Sequence, residues 1–199
     1  MAQSSSDTPR RLILGISGAS GVIYGVRALE VLREMDIETH LVMSKSAELT
    51  MSFEMEMKPK QVKEMASVNH PVGDVGASIS SGSFKTMGML ILPCSIRSMS
   101  EIAAGTTGTL MSRAADVVLK ERRRLVLGVR ETPLHAGHLR TMAQLSEMGA
   151  VIAPIVPAFY IKPQSLDDII NHTVGRLLDL FGIDTGAVKR WTDSGVEGS

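Results

Sequence analysis

With 199 residues, 44% of them hydrophobic and 21% charged, the chain has the size and make-up of one soluble domain that buries a core without disulfides or structural metal. Its 21 basic and 21 acidic residues cancel, which excludes the global electrostatic footprint of a nucleic-acid or anionic-lipid binder, and no apolar run approaches the ~20 residues that cross a bilayer. A single cysteine, Cys94, excludes an internal disulfide framework, paired-thiol redox chemistry and a zinc site built from several thiolates.

Residues 1–9 carry no apolar stretch and read as a loose leader, not a secretory signal, so the expected location is cytoplasmic. Arg11 to Ile16 is a short apolar run ending at glycines, and Val22, Val26, Leu29 and Leu32 then recur at helical spacing, a βα unit. Glu38 to Met43 predicts the next strand and Lys45 to Met57 the next helix. Met51 to Met57, in a chain with 13 methionines, reads as an adaptable packing surface in the core or between subunits. From Val68 to Ser83 the chain turns Gly- and Ser-rich, which predicts a loop beside a site.

Met89 to Leu92 is a strand candidate halted by Pro93, with a helix from Ser95 to about Gly105. Helices follow over Leu110 to Glu121 and Gly137 to Met148, and strands over Leu125 to Val129 and Val151 to Ile155. Ser165 opens a last helix, with Asp167 and Asp168 in its first turn, that Gly182 stops. Strands alternating with helices imply a mostly parallel sheet covered on both faces, with ligands beyond the carboxyl ends of the strands. The domain is expected over residues 10–191, with a tail over 192–199.

Gly15-Ile16-Ser17-Gly18-Ala19-Ser20-Gly21 lies between the first strand and helix, where small residues let backbone N–H groups approach a phosphate; the same composition also serves a tight, ligand-free turn. Its glycines fall three apart and miss the G-x-G-x-x-G dinucleotide pattern, and no acid closes the second strand, which runs into Ser44-Lys45, so a mononucleotide suits it better than NAD. Pro93-Cys94-Ser95-Ile96-Arg97-Ser98 is a second such turn, offering hydroxyls and amides to the same crevice. Cys94 has no histidine near it in sequence and reads as packing. Arg113, Asp116 and Lys120 share one helix face, either a phosphate grip or a solvated basic face. Arg130-Glu131 follows a strand, where the arginine would hold an anion and the glutamate transfer a proton. Tyr160 and Arg176 suit an allylic phosphate, though such residues also serve as packing and surface charge. His135 and His138 lack metal-ligand spacing with a carboxylate, so no catalytic metal is indicated.

Taken in order, GISGASG, the Ser44-Lys45 strand end, PCSIRSMSEIAAG, RAADVVLKERRRLVLGVRETP and GAVIAPIVPAFY resemble the UbiX flavin prenyltransferases over about residues 10–191. The resemblance implies a three-layer α/β/α, Rossmann-like (flavodoxin-like) fold and reduced FMN as prenyl acceptor. It further implies dimethylallyl monophosphate as donor, no metal, a homododecamer with intersubunit sites, and a UbiD-type decarboxylase as recipient of the prenylated FMN. It assigns FMN binding to Gly18, Ala19, Ser20, Ser44, Ser95, Ile96, Arg97, Ser98 and Arg130. The prenyl phosphate falls to Lys120, Arg130, Glu131, Tyr160 and Arg176, with Arg113 reaching in from a neighbouring subunit, and catalysis to Glu131, Glu54, Ser20 and Lys120. The family's site aromatic ahead of its SGS segment has no counterpart between Asp74 and Ser81.

Two rivals share the fold class. FMN-dependent cysteine decarboxylases carry a PASANT-like turn where this chain has PCSIRS, and a P-x-M-N-x-x-M-W segment with no counterpart here. A non-catalytic flavin carrier would keep the FMN turns but has no need of the Lys120, Tyr160 and Arg176 set.

Overall fold

Side chains alternate across a strand, and β1 (Arg11–Ile16) uses that alternation to feed two cores: Leu12, Leu14 and Ile16 point into one, Ile13 into the other. In the computed structural model, which describes residues 10–186, 188, 190–192 and 195–196, this strand lies in the middle of a parallel sheet. Its companions are β2 (Glu38–Met43), β3 (Val68–His70), β4 (Gly88–Cys94), β5 (Arg124–Val129) and β6 (Val151–Ile152), in the order β3-β2-β1-β4-β5-β6. The expected leader over 1–9 lies outside the described residues, as does most of the expected tail over 192–199. Thr192 pairs with Gly195, and Trp191 with Val196, in a short antiparallel ribbon.

Three of the helices, α1 (Val22–Glu34), α2 (Lys45–Glu54) and α3 (Pro59–Met65), pack with α7 (Leu166–Asp179) on the face that holds Leu12, Leu14 and Leu90. On the opposite face α4 (Ile96–Ala103), α5 (Leu110–Lys120) and α6 (Ala136–Glu147) cover Ile13, Met89, Ile91 and Leu127. The result is the three-layer, doubly wound architecture expected of the alternation. Helix α1 buries Val22, Val26, Leu29 and Leu32, the four residues whose spacing marked it. Ser165 caps α7 in a reciprocal box with Asp168, and Arg27 of α1 reaches Asn171 and Asp167 of α7 to tie the two helices together.

Several expectations are corrected. Pro93 does not halt β4, which continues to Cys94; a register shift against β5 between Ile91 and Cys94 accommodates the residue without an amide proton. Helix α2 ends at Glu54, and Lys58 with Pro59 at its first position starts a separate helix, α3. The loop expected from Val68 begins with the edge strand β3 and contains a 3-10 turn at Ser78–Ser80. Strand β6 covers only Val151–Ile152 of the span expected to reach Ile155. Met51, Met55 and Met57 pack into or against the core. Among the described residues no helix is long and apolar enough to cross a membrane.

Candidate active site

The strand order reverses between β1 and β4, and at that point the loops leaving the two strands diverge to open a crevice. Ser17, 1% exposed, holds the two edges together. Its hydroxyl donates to the Pro93 carbonyl at 2.8 Å and accepts from the Ser95 amide at 2.7 Å, so both loops leave the sheet from one shared anchor. Ser95 then caps α4, its Oγ accepting from the Ser98 amide at 3.3 Å, and Ser44 caps α2 by accepting from the Ala47 amide at 3.0 Å. Thr109 caps α5 in a reciprocal box with Ser112.

These three capped helix starts face one cleft of about 440 Å³, lined by Gly18, Ser44, Lys45, Ser46, Val72, Ser95, Ile96, Arg97, Ser98, Glu101, Thr109, Met111 and Glu131. Three positive helix ends and Lys45 make one side of it attractive to an anion, Arg97 being paired with Glu101 at 2.8 Å, while Val72, Ile96 and Met111 offer apolar surface. The cleft suits a ligand with a phosphate at one end and a flat, partly apolar body. Gly18 permits the close approach of the first turn to α2: a Cβ there would stand 2.3 Å from the Ser46 Cβ and 3.0 Å from its carbonyl carbon.

Of the FMN-binding residues expected from the sequence, Gly18, Ser44, Ser95, Ile96, Arg97 and Ser98 line this cleft, and so does Glu131. Ala19 is buried behind the turn and Ser20 is exposed on it. Arg130 is exposed at the end of β5, its amide donating to the Cys94 carbonyl at 3.1 Å. Glu54 has a place of its own. Its carboxylate, at the end of α2, accepts from the Gly21 amide at 2.9 Å and the Val22 amide at 3.0 Å. The anion at the start of α1 is thus a side chain of the same subunit, on a Gly21 held at φ 97°.

Of the expected prenyl-phosphate residues only Glu131 lines this cleft, and the others are spread over several elements. Arg113 and Lys120 lie on α5, paired with Asp116 at 3.0 Å and Glu121 at 2.7 Å. That helix starts at the cleft, and its 11 residues carry Lys120 about 16 Å away. Arg176 lies on α7, on the other face of the sheet, paired with Asp179 at 2.8 Å. Tyr160 contacts His172 of α7.

Sequence reasoning gave no site role to Ser46, Val72, Thr109 and Met111, and reached Ser17, Lys45 and Glu101 only as members of longer motifs. A helix-start signal was available for Thr109, whose T-x-x-S spacing to Ser112 forms the cap, and Val72 sits in the loop expected beside a site. Cys94 is fully buried, which pushes its thiol up to about 12 and removes it as a nucleophile at neutral pH.

The model of the Flavoprotein family matches residues 1–178. The chain is 63% identical over 175 residues to the flavin prenyltransferase UbiX of Escherichia coli K12, covering 87% of this chain and 93% of that protein. Among solved structures it resembles AnUbiX (PadA1) in complex with FMN and dimethylallyl pyrophosphate, with TM-score 0.91, 49% identity and coverage of 92% of this chain and 98% of that one. A dodecameric FMN-dependent UbiX-like decarboxylase from Escherichia coli O157:H7 gives TM-score 0.89 and 48% identity over 92% of this chain and 99% of that one. Identity of this order across nearly the whole length, on a parallel sheet whose cleft presents three helix starts to an anion, means that the chain belongs to the UbiX family of flavin prenyltransferases.

Proposed function

We infer that the chain joins the dimethylallyl group of dimethylallyl monophosphate to N5 and C6 of reduced FMN, without a metal, and that the prenylated FMN goes to a UbiD-type decarboxylase. The carrying observation is the cleft itself, with capped helix starts at one side and Glu131 on its lining. Reduced flavin supplies the nucleophile; the donor's C1′–O bond breaks and its electron pair leaves with the phosphate.

The FMN phosphate is held by the Ser44 and Ser95–Ser98 helix starts with Arg130, and the Gly18-Ala19-Ser20 turn meets the rest of the ligand. Arg113, Lys120, Arg130, Tyr160 and Arg176 stabilise the charge that builds on the departing phosphate, and enclosure keeps water from the allylic fragment. Ring closure bonds C3′ to C6 as C2′ of the alkene gains a proton and C6 then loses one; Glu131 or the released phosphate carries that proton transfer. Ser20, Lys120 and Glu54 complete the catalytic set, Glu54 through its grip on the α1 start.

Lys120 and Arg176 sit on helices that cover opposite faces of the sheet, and contribution of the two by different subunits is one way for them to meet one phosphate. Assembly into a homododecamer with intersubunit sites accounts for that separation, and for Leu49 and Phe53, exposed one turn apart on α2 with Phe53 82% accessible. The domain occupies residues 10–191, and the location is cytoplasmic.

The test is anaerobic incubation with FMN, reductant and dimethylallyl monophosphate, followed by the mass of the flavin released on denaturation. A gain of one C5 unit is expected. Tightly bound but unmodified FMN would make the protein a carrier. Glu131→Gln is expected to slow turnover while flavin binding survives; unchanged turnover would remove Glu131 from the mechanism.

A further inference from the structure

Two imidazoles lie inside the domain at the edge of the sheet, outside the site described above. His40 of β2 is 3% exposed and His70 of β3 is 9% exposed, and His40 Nδ1 lies 2.9 Å from His70 Nε2. On its other side His40 Nε2 meets Glu38 Oε1 at 2.9 Å, and the second Glu38 oxygen accepts from Arg11 Nε of β1 at 2.9 Å. Phe84 stands edge-on to His40, with centroids 5.1 Å apart, and lies 4.8 Å below the Arg11 guanidinium. His70 is the buried residue of β3, so its bond to His40 fastens the end of that edge strand from inside.

The strand end leads to the cleft. Val72, two residues on, lines it, and the Val72 carbonyl accepts from the Leu110 amide at the start of α5 at 2.8 Å. Thr109, which caps α5, and Met111 line the same cleft. A shift of the β3 end therefore carries Val72 and the α5 start with it.

Hydrogen counting sets the condition for the contact. Against burial, the hydrogen bonds from His40 and Arg11 hold the Glu38 carboxyl below its usual pKa, so it only accepts, and His40 Nε2 carries hydrogen. Between the rings one hydrogen fits, with one nitrogen donating and the other accepting. The neutral pair and the pair with one added proton both satisfy this. A second added proton puts hydrogen on both facing nitrogens and sets two positive rings side by side, with Glu38 to balance one of them. Burial, then the His40 charge, holds His70 below its usual pKa, with Asp74 in the loop after β3 opposing. From the opposite layer α5 turns the apolar Met111, Ala114, Ala115 and Val118 toward this face of the sheet.

We propose that the His40–His70 pair is a latch that positions the flavin cleft: closed, it holds the β3 end, Val72 and the α5 start in place for FMN, and acidification opens it and lowers FMN affinity. This rests on the reading of that cleft as the flavin site. Neither imidazole lines the cleft; both act through Val72 and α5.

The test is FMN titration of the full-length protein from about pH 7.5 to about pH 5, for the wild type, His70→Leu, His70→Gln and Gly18→Ala. At the upper pH His70→Leu is expected to weaken FMN binding about three- to tenfold, the weight of one hydrogen bond, with KM for dimethylallyl monophosphate at saturating FMN unchanged. A glutamine amide donates or accepts, so His70→Gln is expected to keep wild-type affinity there and to lose less of it on acidification. The FMN phosphate titrates alike against every variant, so the difference between the two profiles reports the protein. Wild-type affinity in His70→Leu, or a His70→Gln profile parallel to the wild type, overturns the latch. If His70→Leu does not fold, the His70→Gln profile decides. Parent affinity in Gly18→Ala overturns the reading of the cleft itself, whereas a weakened Gly18→Ala beside unaffected His70 variants overturns the latch alone.

Discussion

The Ser95 amide donates to the buried Ser17 hydroxyl at 2.7 Å, joining residues 78 positions apart at the point where the sheet reverses its strand order. That hydroxyl also donates to the Pro93 carbonyl, which receives the Ser17 amide as well, at 3.2 Å. Removing the hydroxyl leaves the carbonyl served and the Ser95 amide without its acceptor. Ser17→Ala is therefore expected to cost about 1–3 kcal/mol in urea unfolding. It is also expected to weaken FMN binding, because Ser95 starts the α4 cap. Unfolding midpoints and flavin titration measure the two effects, and an unchanged flavin affinity would separate the anchor from the site.

At Gly18 an added methyl would meet the Ser46 Cβ at 2.3 Å, a contact that only a shift of the α2 start relieves. Gly18→Ala is expected to lower flavin affinity by about tenfold or more, with a smaller effect on folding, since α2's buried Ala47 and Met51 still anchor the helix. Fluorescence titration of FMN against the variant checks this. An affinity equal to that of the parent chain would show that the α2 start is not part of the flavin site.

With its thiol pushed up to about 12 by complete burial, Cys94 carries almost no thiolate at neutral pH. The native protein is expected to resist alkylation by iodoacetamide while the urea-unfolded chain reacts readily, as mass spectrometry would show. Cys94→Ser is expected to leave turnover nearly intact and to cost stability through a buried hydroxyl. Loss of turnover in a folded, flavin-binding Cys94→Ser protein would restore the sulfur to the chemistry.

His70 and His172 both have imidazole pKa values lowered from 6.5, His70 by burial and then by His40, which lies 2.9 Å away, with Asp74 opposing. The unfolded chain therefore binds these protons at a higher pH than the native one. Their contribution is fully present above about pH 6.5 and is lost as pH falls through the lowered native values. Thermal unfolding midpoints are expected to drop between about pH 7 and about pH 5. The drop is expected to be smaller in His70→Gln. An equal drop in that variant would place the acid sensitivity elsewhere.

How much of this was legible in the sequence depended on how far apart the deciding contacts lie. Helix α1 was legible because Val22, Val26, Leu29 and Leu32 repeat at the helical period, and α7 because Ser165 and Asp168 cap it locally. Strands β1 and β5 were legible because both their faces are buried and they read as apolar runs, and β2 through its apolar end Leu41–Met43. Helix α3 escaped notice because only Val62 of its seven residues is buried, too few to set a period. Strand β3 buries only His70, so its pairing with β2, and not its own composition, makes it a strand.

The sequence by itself determined the alternating α/β order, the small-residue turns after β1 and β4, and the family to which the chain belongs. Only the tertiary structure decided that Ser17 ties two of those turns together, that Glu54 occupies the start of α1, and that Lys120 and Arg176 fall on opposite faces of the sheet. Periodicity and capping are settled within a few residues of chain. Convergence of side chains depends on strand order and on which face each helix covers, and those are set by burial across the whole domain.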